Sequence, residues 1–358
     1  MTIEQRIAKF VSLGRFLGQF GFQGNEKLTD VPCNEPFFER MEQQLQIAVS
    51  HNGWFTRENI VFALQQWNQA LTEENLEHWL KPYELKEVTP KRVGIIMAGN
   101  IPLVGFHDFL AVLISGHKVI VKQSSNDNQL LPVIAEYLTA IAPEWKGSIE
   151  FLDEKQGTSR LENYDAVIAT GSNNTARYFE YYFKEKPSII RKNRNSVAIL
   201  TGKESEEELS LLGEDIFRYY GLGCRNVSKL YVPEGYNFDS FFKAMYPWNP
   251  IINQAKYANN YDYNKAVYLM SLSKLLENGF LMLKEDESFG SPIATLFYET
   301  YSDLPSLKER LKAKEESIQC IVANDLVEGE VPFGKTQQPQ LWDYADDVDT
   351  LKFLKELD

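Results

Sequence analysis

From residue 91 onward the chain alternates short, almost wholly apolar runs with longer amphipathic ones, and few architectures accept that pattern. Val93-Gly94-Ile95-Ile96-Met97 is such a run, and Lys118-Val119-Ile120-Val121-Lys122, Ser148–Leu152 and Asp165–Ala169 read as further strands with apolar centres. Strands this evenly apolar are covered on both faces, which a sheet with one wet side does not require. The stretches between them, 103–115, one ending near 142 and one running through 184, have helical spacing. Pro102 suits a first helical turn and Gly116 a helix end. Helices on both faces of a mainly parallel sheet make a doubly wound α/β unit. Ligands of such sheets bind beyond the carboxyl ends of the strands. Asn100, Lys122–Ser125 and Thr170–Ser172 all fall at those ends. No Gly-x-Gly-x-x-Gly occurs, so the common dinucleotide fingerprint is absent.

Residues 1–90 read as a helical layer: Ile3, Ile7, Phe10, Leu13 and Leu17 recur at three- and four-residue steps, as do Leu45 and Val49, then Ile60, Leu64 and Leu71. Phe22–Pro36, which holds Cys33, reads as a loop. The second half opens with a strand at Ser196–Leu200, an acidic helix at 204–218 and a turn carrying Cys224. Helices are expected at Asp239–Met245, 264–277 and Leu304–Lys312, and strands at Gly279–Lys284, Pro292–Glu299 and Ser317–Ala323. The chain therefore divides into a helical layer (1–90), an α/β domain (91–200), a second domain built around Cys224 (201–335) and a tail (336–358).

Composition excludes several classes of function. A net charge of -13 leaves nothing basic to neutralise a nucleic-acid backbone. Three scattered cysteines make neither a disulfide framework nor a metal site, and with the four histidines unpaired no metal is expected. The opening MTIEQRIAKFVSLG has no apolar core run, and 93–121 is broken by Asn100, Pro102, His107, Asp108 and His117, so neither a signal peptide nor a membrane span is expected. The expectation is a cytoplasmic protein.

The residues with most chemical promise are Tyr219-Tyr220-Gly221-Leu222-Gly223-Cys224-Arg225-Asn226-Val227-Ser228-Lys229. A cysteine follows two glycines, beside an arginine and ahead of an apolar strand. A thiol of ordinary pKa, about 8.5, is mostly protonated at neutral pH, and an adjacent cation raises its thiolate fraction. Arg225 is placed to supply that charge, and the glycine-rich turn offers backbone N–H groups to an oxyanion. The bland alternative is a small structural cysteine in a turn. Cys320, inside an apolar strand, and Cys33, beside an acidic neighbour, read as inert.

Six segments, taken in order, resemble the aldehyde dehydrogenase superfamily, and within it the acyl-CoA reductases of the LuxC type. The likeness covers about 93–340. Ala98-Gly99-Asn100-Ile101-Pro102 resembles the loop whose asparagine shares in the oxyanion hole, and Lys122-Gln123-Ser124-Ser125 the segment that holds the adenosine ribose. Thr170-Gly171-Ser172 is similar to the turn beneath the cofactor phosphates and nicotinamide. Cys224 with Ser228 and Lys229 resembles the catalytic Cys-x-x-x-Ser-Arg segment, Glu287-Ser288-Phe289-Gly290 the Glu-x-Phe-Gly whose glutamate binds the nicotinamide ribose, and Pro332-Phe333-Gly334 a turn near the end of the catalytic domain. The resemblance implies an aldehyde-dehydrogenase-like α/β fold with a nucleotide cofactor domain at 91–200 and a catalytic domain at 201–335. It also implies Cys224 as nucleophile, Asn100 as oxyanion donor, and Lys122, Ser124, Ser125, Thr170, Gly171, Ser172, Glu287 and Phe289 as cofactor residues.

Departures from the family pattern refine the expectation. Where aldehyde-oxidising members carry the glutamate that activates water, this chain has Arg191-Lys192-Asn193-Arg194. Without that base hydrolysis of an acyl-enzyme is slow, whereas transfer between thioesters needs none. The basic run reads either as a receiver of CoA phosphates or as a solvated charge run. Ser125 replaces the glutamate of NAD-preferring members and, with Lys122, would tolerate a 2′-phosphate. The expected activity is NADPH- or NADH-dependent reduction of a long-chain fatty acyl-CoA to the aldehyde, with CoA as leaving group. The donor is the CoA ester, another acyl thioester or an acyl-transferring partner enzyme. Alternatives are a non-catalytic acyl-CoA or nucleotide-binding accessory protein, and an aldehyde-oxidising dehydrogenase. Bland roles stand beside these: Asn100 as cap of the next helix, Ser124 and Ser125 as caps of the one starting near Asn126, Glu287 as a surface charge, Phe289 as core, and His107 as a hydrogen-bonded interior histidine rather than a proton donor. No long protruding hairpin is apparent, which leaves room for a small homo-oligomer.

Overall fold

Five parallel strands form the sheet of the first unit: β3 (Arg92–Ile96), β4 (Lys118–Lys122), β5 (Ile149–Phe151), β6 (Ala166–Thr170) and β7 (Ser188–Arg191), in spatial order β5-β4-β3-β6-β7. A short hairpin, β1 (Phe20–Gly21) and β2 (Gly24–Asn25), precedes them. The computed structural model describes residues 1–85, 88–152 and 161–357. The chain divides into two compact units, Met1–Lys192 with Gln340–Asp358, and Asn193–Pro339.

In the first unit α1 (Ile3–Gly18), α2 (Asn34–His51), α3 (Arg57–Ala70) and α4 (Glu73–Leu80) form the helical layer. Thr2, Thr56 and Thr72 cap three of them by accepting a backbone N–H three residues on. Phe16 of α1 stacks on Tyr137 of α6 (Leu130–Ile141) with ring centroids 4.2 Å apart, sealing layer to sheet-covering helix. The helix expected at 103–115 begins only at Phe106 (α5, Phe106–Ile114), because Leu103 stands at φ +57 and breaks the helical path. α7 (Asn173–Tyr182) follows β6, capped by Ser172.

The second unit holds a six-stranded sheet: β8 (Asn195–Ile199), β9 (Val227–Pro233), β10 (Leu275–Glu277), β11 (Met282–Glu285), β12 (Thr295–Tyr301) and β13 (Ile318–Val322), in order β10-β11-β12-β9-β8-β13. All pairings are parallel except β10 with β11. Its helices are α8 (Glu206–Phe217), α9 (Asp239–Met245), α10 (Ala255–Met270) and α11 (Leu304–Lys312). The 264–277 segment is thus not one helix. α10 starts earlier, where the Gln254 side chain accepts the Tyr257 N–H, and stops before Leu272 at φ +54; 275–277 then pairs with β11.

The boundary between units falls at Lys192/Asn193 rather than near 200, since β8 pairs with β9 and β13. Residues 340–358 belong to the first unit instead of standing apart. Their helix α12 (Thr350–Lys355) is anchored by His117, which donates from Nε2 to Leu354 O at 3.0 Å while Nδ1 accepts the Lys91 N–H. Trp79 Nε1 donates to Tyr344 Oη at 2.8 Å, and the Tyr83 hydroxyl donates to Asp349 at 2.9 Å. Among the described residues no helix is long and apolar enough to cross a membrane.

Candidate active site

In the first unit the sheet gathers three of the expected segments. β3 is central, β4 lies on one side and β6 on the other, so the turns after all three emerge side by side at the carboxyl ends. Successive connections diverge here, and in doubly wound sheets ligands bind at such a point. Asn100 is exposed and does not cap α5, whose N-cap is Gly105. Ser124 and Ser125 do not cap α6 either, since that position is Gln129. Instead Ser124 organises a turn: its Oγ accepts the Asn126 N–H and its carbonyl accepts the Asp127 N–H at 3.1 Å. The helical layer holds the same turn, through His51 Nε2 to Ser125 O at 2.7 Å and Asn52 Nδ2 to Asn126 O at 3.2 Å. The two turns interlock at Gly99, where a Cβ would lie 2.4 Å from Ser124 Oγ. Only glycine allows that approach.

Asp127 closes the lock by accepting the Leu103 N–H at 2.8 Å, three residues beyond Asn100. Burial pushes its carboxyl up to about 6, against the lowering effect of that hydrogen bond. A carboxyl raised in the folded state favours folding most when protonated. Stability should therefore fall as pH climbs from about 4 to about 6, leaving a penalty of at most about 3 kcal/mol above that range. Asp127→Asn keeps an acceptor for Leu103 and removes the charge. The variant is expected to melt higher than the parent at pH 7, with the gap closing by pH 4. A gap independent of pH in thermal melts would contradict this.

Lys122 is half-buried at the end of β4, and no carboxylate among the described residues lies within ion-pair distance. Thr170 ends β6, and Gly171 N–H reaches Arg191 O at 3.3 Å. Ser172 does cap α7, accepting the Thr175 N–H. Arg191 is not a solvated charge. It is buried, ion-paired to Asp108, with Nη2 donating to Thr350 Oγ1 at 3.0 Å. Lys192 pairs with Glu180 at 2.7 Å. His107 donates Nε2 to Leu341 O at 2.8 Å between the rings of Trp79 and Tyr344, an interior histidine.

In the second unit Cys224 is an exposed thiol on a turn with several internal ties. Asn226 is its organiser: Oδ1 accepts the Gly223 N–H at 2.8 Å, and Nδ2 donates to Asp215 O at 3.0 Å and Arg218 O at 2.9 Å. Ser196 Oγ donates to Cys224 O at 2.9 Å. Upstream, Tyr219, Tyr220 and Gly221 stand at φ 55, 60 and 74, a left-handed run that costs each tyrosine about 1–2 kcal/mol. Arg225 directs Nη1 to Cys320 Sγ at 3.4 Å, so one of its donors serves the buried thiol. Pro332-Phe333-Gly334 belongs to the same framework, because the Asp215 carboxylate accepts the Gly334 N–H at 2.7 Å and the Thr336 N–H at 2.9 Å.

The Glu287 loop follows β11. Glu287 is exposed and has no hydrogen-bond or ion-pair partner among the described residues. Phe289 packs on the apolar cluster of Val197, Ile199 and Tyr231, with Lys229 and Lys314 ammonium groups over its ring at 5.4 Å. Nothing local in the sequence marks Ser196, Asp215 or Asp127 as residues that hold the site, and for Asn226 the signal is its place two residues after the cysteine.

The model of the acyl-CoA reductase (LuxC) family matches residues 39–244, more than half of the chain. The chain belongs to this family. LuxC-family membership makes it an oxidoreductase acting on aldehyde or acyl groups. Solved structures agree on the fold. Aldehyde dehydrogenase 21 from Physcomitrella patens, in complex with succinate, superposes with TM-score 0.66 at 14% identity, over 100% of this chain and 84% of that one. Lactaldehyde dehydrogenase from Escherichia coli gives 0.61 at 13% identity over 90% and 73%. The NAD+ complex of aldehyde dehydrogenase from Bacillus cereus gives 0.59 at 14% identity over 90% and 72%. No curated protein sequence matches significantly.

Proposed function

We propose that this LuxC-family chain reduces a fatty acyl-CoA to the aldehyde through an acyl group carried on Cys224, with NADPH or NADH as reductant. The observation that carries the reading is an exposed thiol on a turn tied by Asn226 and Ser196. The Cys224 sulfur attacks the thioester carbonyl carbon, the bond to the CoA sulfur breaks, and CoA leaves as its thiol after taking one proton. Donors at the oxyanion are the Cys224 backbone N–H and, by family likeness, the Asn100 side chain. When bound, the nicotinamide cofactor would supply the hydride to the acyl carbon; the bond from that carbon to the Cys224 sulfur then breaks, releasing the aldehyde, and one proton restores the thiol.

Each unit by itself presents residues suited to a part of such a cofactor. Lys122 and Glu287 carry charges without partners among the described residues, and Thr170 and Ser125 stand at strand ends with Gly171 and Ser172. Lys122 suits a ribose or a 2′-phosphate, neutral Ser125 does not repel one, and Glu287 suits a ribose hydroxyl pair. Phe289 backs the Glu287 loop from its apolar side. The absence of a base-bearing glutamate favours CoA-linked chemistry over hydrolysis, although Arg191 itself is committed to Asp108. With a panel of acyl-CoA esters, nicotinamide absorbance should fall only when ester and reduced cofactor are both present. No fall with any ester and either cofactor would reject the activity and leave a binding-only accessory protein.

A further inference from the structure

Lys229 lies in the middle of β9, between β8 and β12, and its side chain is 0% exposed. An ammonium there loses its hydration, at several kcal/mol per buried ion unless good partners replace the water. Burial accordingly pulls its pKa down, partly opposed by Glu299. A leucine or methionine would fill the same space without that cost. The partners show where the ammonium acts. Nζ is ion-paired to Glu299, donates to the Asp286 carbonyl oxygen at 3.0 Å, and sits over the rings of Tyr231 and Phe289. The preceding residue grips the same loop further along: Ser228 Oγ donates to Phe289 O at 2.7 Å. Two adjacent side chains of β9 thus hold the backbone on either side of Glu287, at 286 and 289. Asp286 in turn accepts the Ser288 N–H at 2.9 Å and pairs with Lys284.

We infer that Lys229 is a positioning residue that holds the Glu287 loop in the shape needed to bind the nucleotide cofactor. The inference rests on the proposed ribose role of Glu287. Because the grip is on the loop and not on the Cys224 turn, losing it should weaken cofactor binding and spare acylation. Arginine retains donors for both Asp286 O and Glu299; methionine retains neither.

The test titrates NADPH and NADH by fluorescence into the full chain and its Lys229→Met, Lys229→Arg and Glu287→Ala variants. Acyl transfer to Cys224 from radioactive acyl-CoA is measured in parallel without cofactor. Lys229→Met is expected to bind cofactor about tenfold more weakly or worse, as loss of a charged hydrogen bond implies. Its acyl label should be unchanged, and Lys229→Arg should recover most of the affinity. Wild-type affinity in Lys229→Met beside a weakened Glu287→Ala would overturn the inference alone. So would loss of label and cofactor binding together in Lys229→Met and Lys229→Arg, which marks a general structural role. Unchanged affinity in Glu287→Ala would instead remove the ribose role on which the inference stands.

Discussion

Cys224→Ala is expected to leave no covalent label after incubation with radioactive acyl-CoA and to cut aldehyde formation by about 10⁴-fold or more, the scale on which removing a covalent nucleophile acts. Structural damage should be slight, because Cys224 is exposed and its turn is held through other groups. Asn226 accepts from Gly223, and Ser196 bonds the Cys224 backbone carbonyl, which alanine keeps. Cofactor titration should therefore be unchanged in the variant. Survival of the label in Cys224→Ala would end the acyl-enzyme mechanism, and Cys320→Ala provides the control for labelling at the neighbouring buried thiol.

The second large effect concerns stability. Asp108→Ala should destabilise the first unit by about 3–5 kcal/mol, because it strands the Arg191 charge in the interior. At about 2–4 °C per kcal/mol for a body of this size, the melting temperature should drop by roughly 6–20 °C. Arg191 also donates to Thr350, so the return segment containing α12 should loosen with it and show earlier hydrogen exchange. The double replacement Asp108→Leu with Arg191→Met should recover much of the loss, since apolar residues can replace a buried ion pair. If Arg191 received a CoA phosphate instead, Arg191→Met would raise the KM for acyl-CoA and leave the melting temperature in place.

Much of the first unit was legible in the chain. The apolar run at 93–97 and the apolar centres of 118–122 and 165–169, alternating with helical stretches, point to a covered parallel sheet, and that sheet is present. Local punctuation misled where a distant partner decided. Pro102 and the apolar residues after it point to a helix from 103, yet Asp127 takes the Leu103 N–H and the helix waits until Phe106. The 264–277 run has helical spacing, but its last three residues find a strand partner in β11. Arg191 and Lys192 are adjacent and alike in sequence, while one is buried against Asp108 and the other pairs at the surface with Glu180.

The amino-acid order by itself determined the α/β class, the family and the order of the motif segments, because strand periodicity, turn chemistry and residue identity are local properties. Tertiary structure alone decided which groups hold those segments in place. Asn226 reaches Asp215 and Arg218, Lys229 reaches Asp286, and Asp108 reaches Arg191 across intervals of 8 to 83 residues. Such partnerships carry no local signature. A polar side chain's role is set by which neighbour replaces its lost water, and that neighbour is chosen only when the chain has packed.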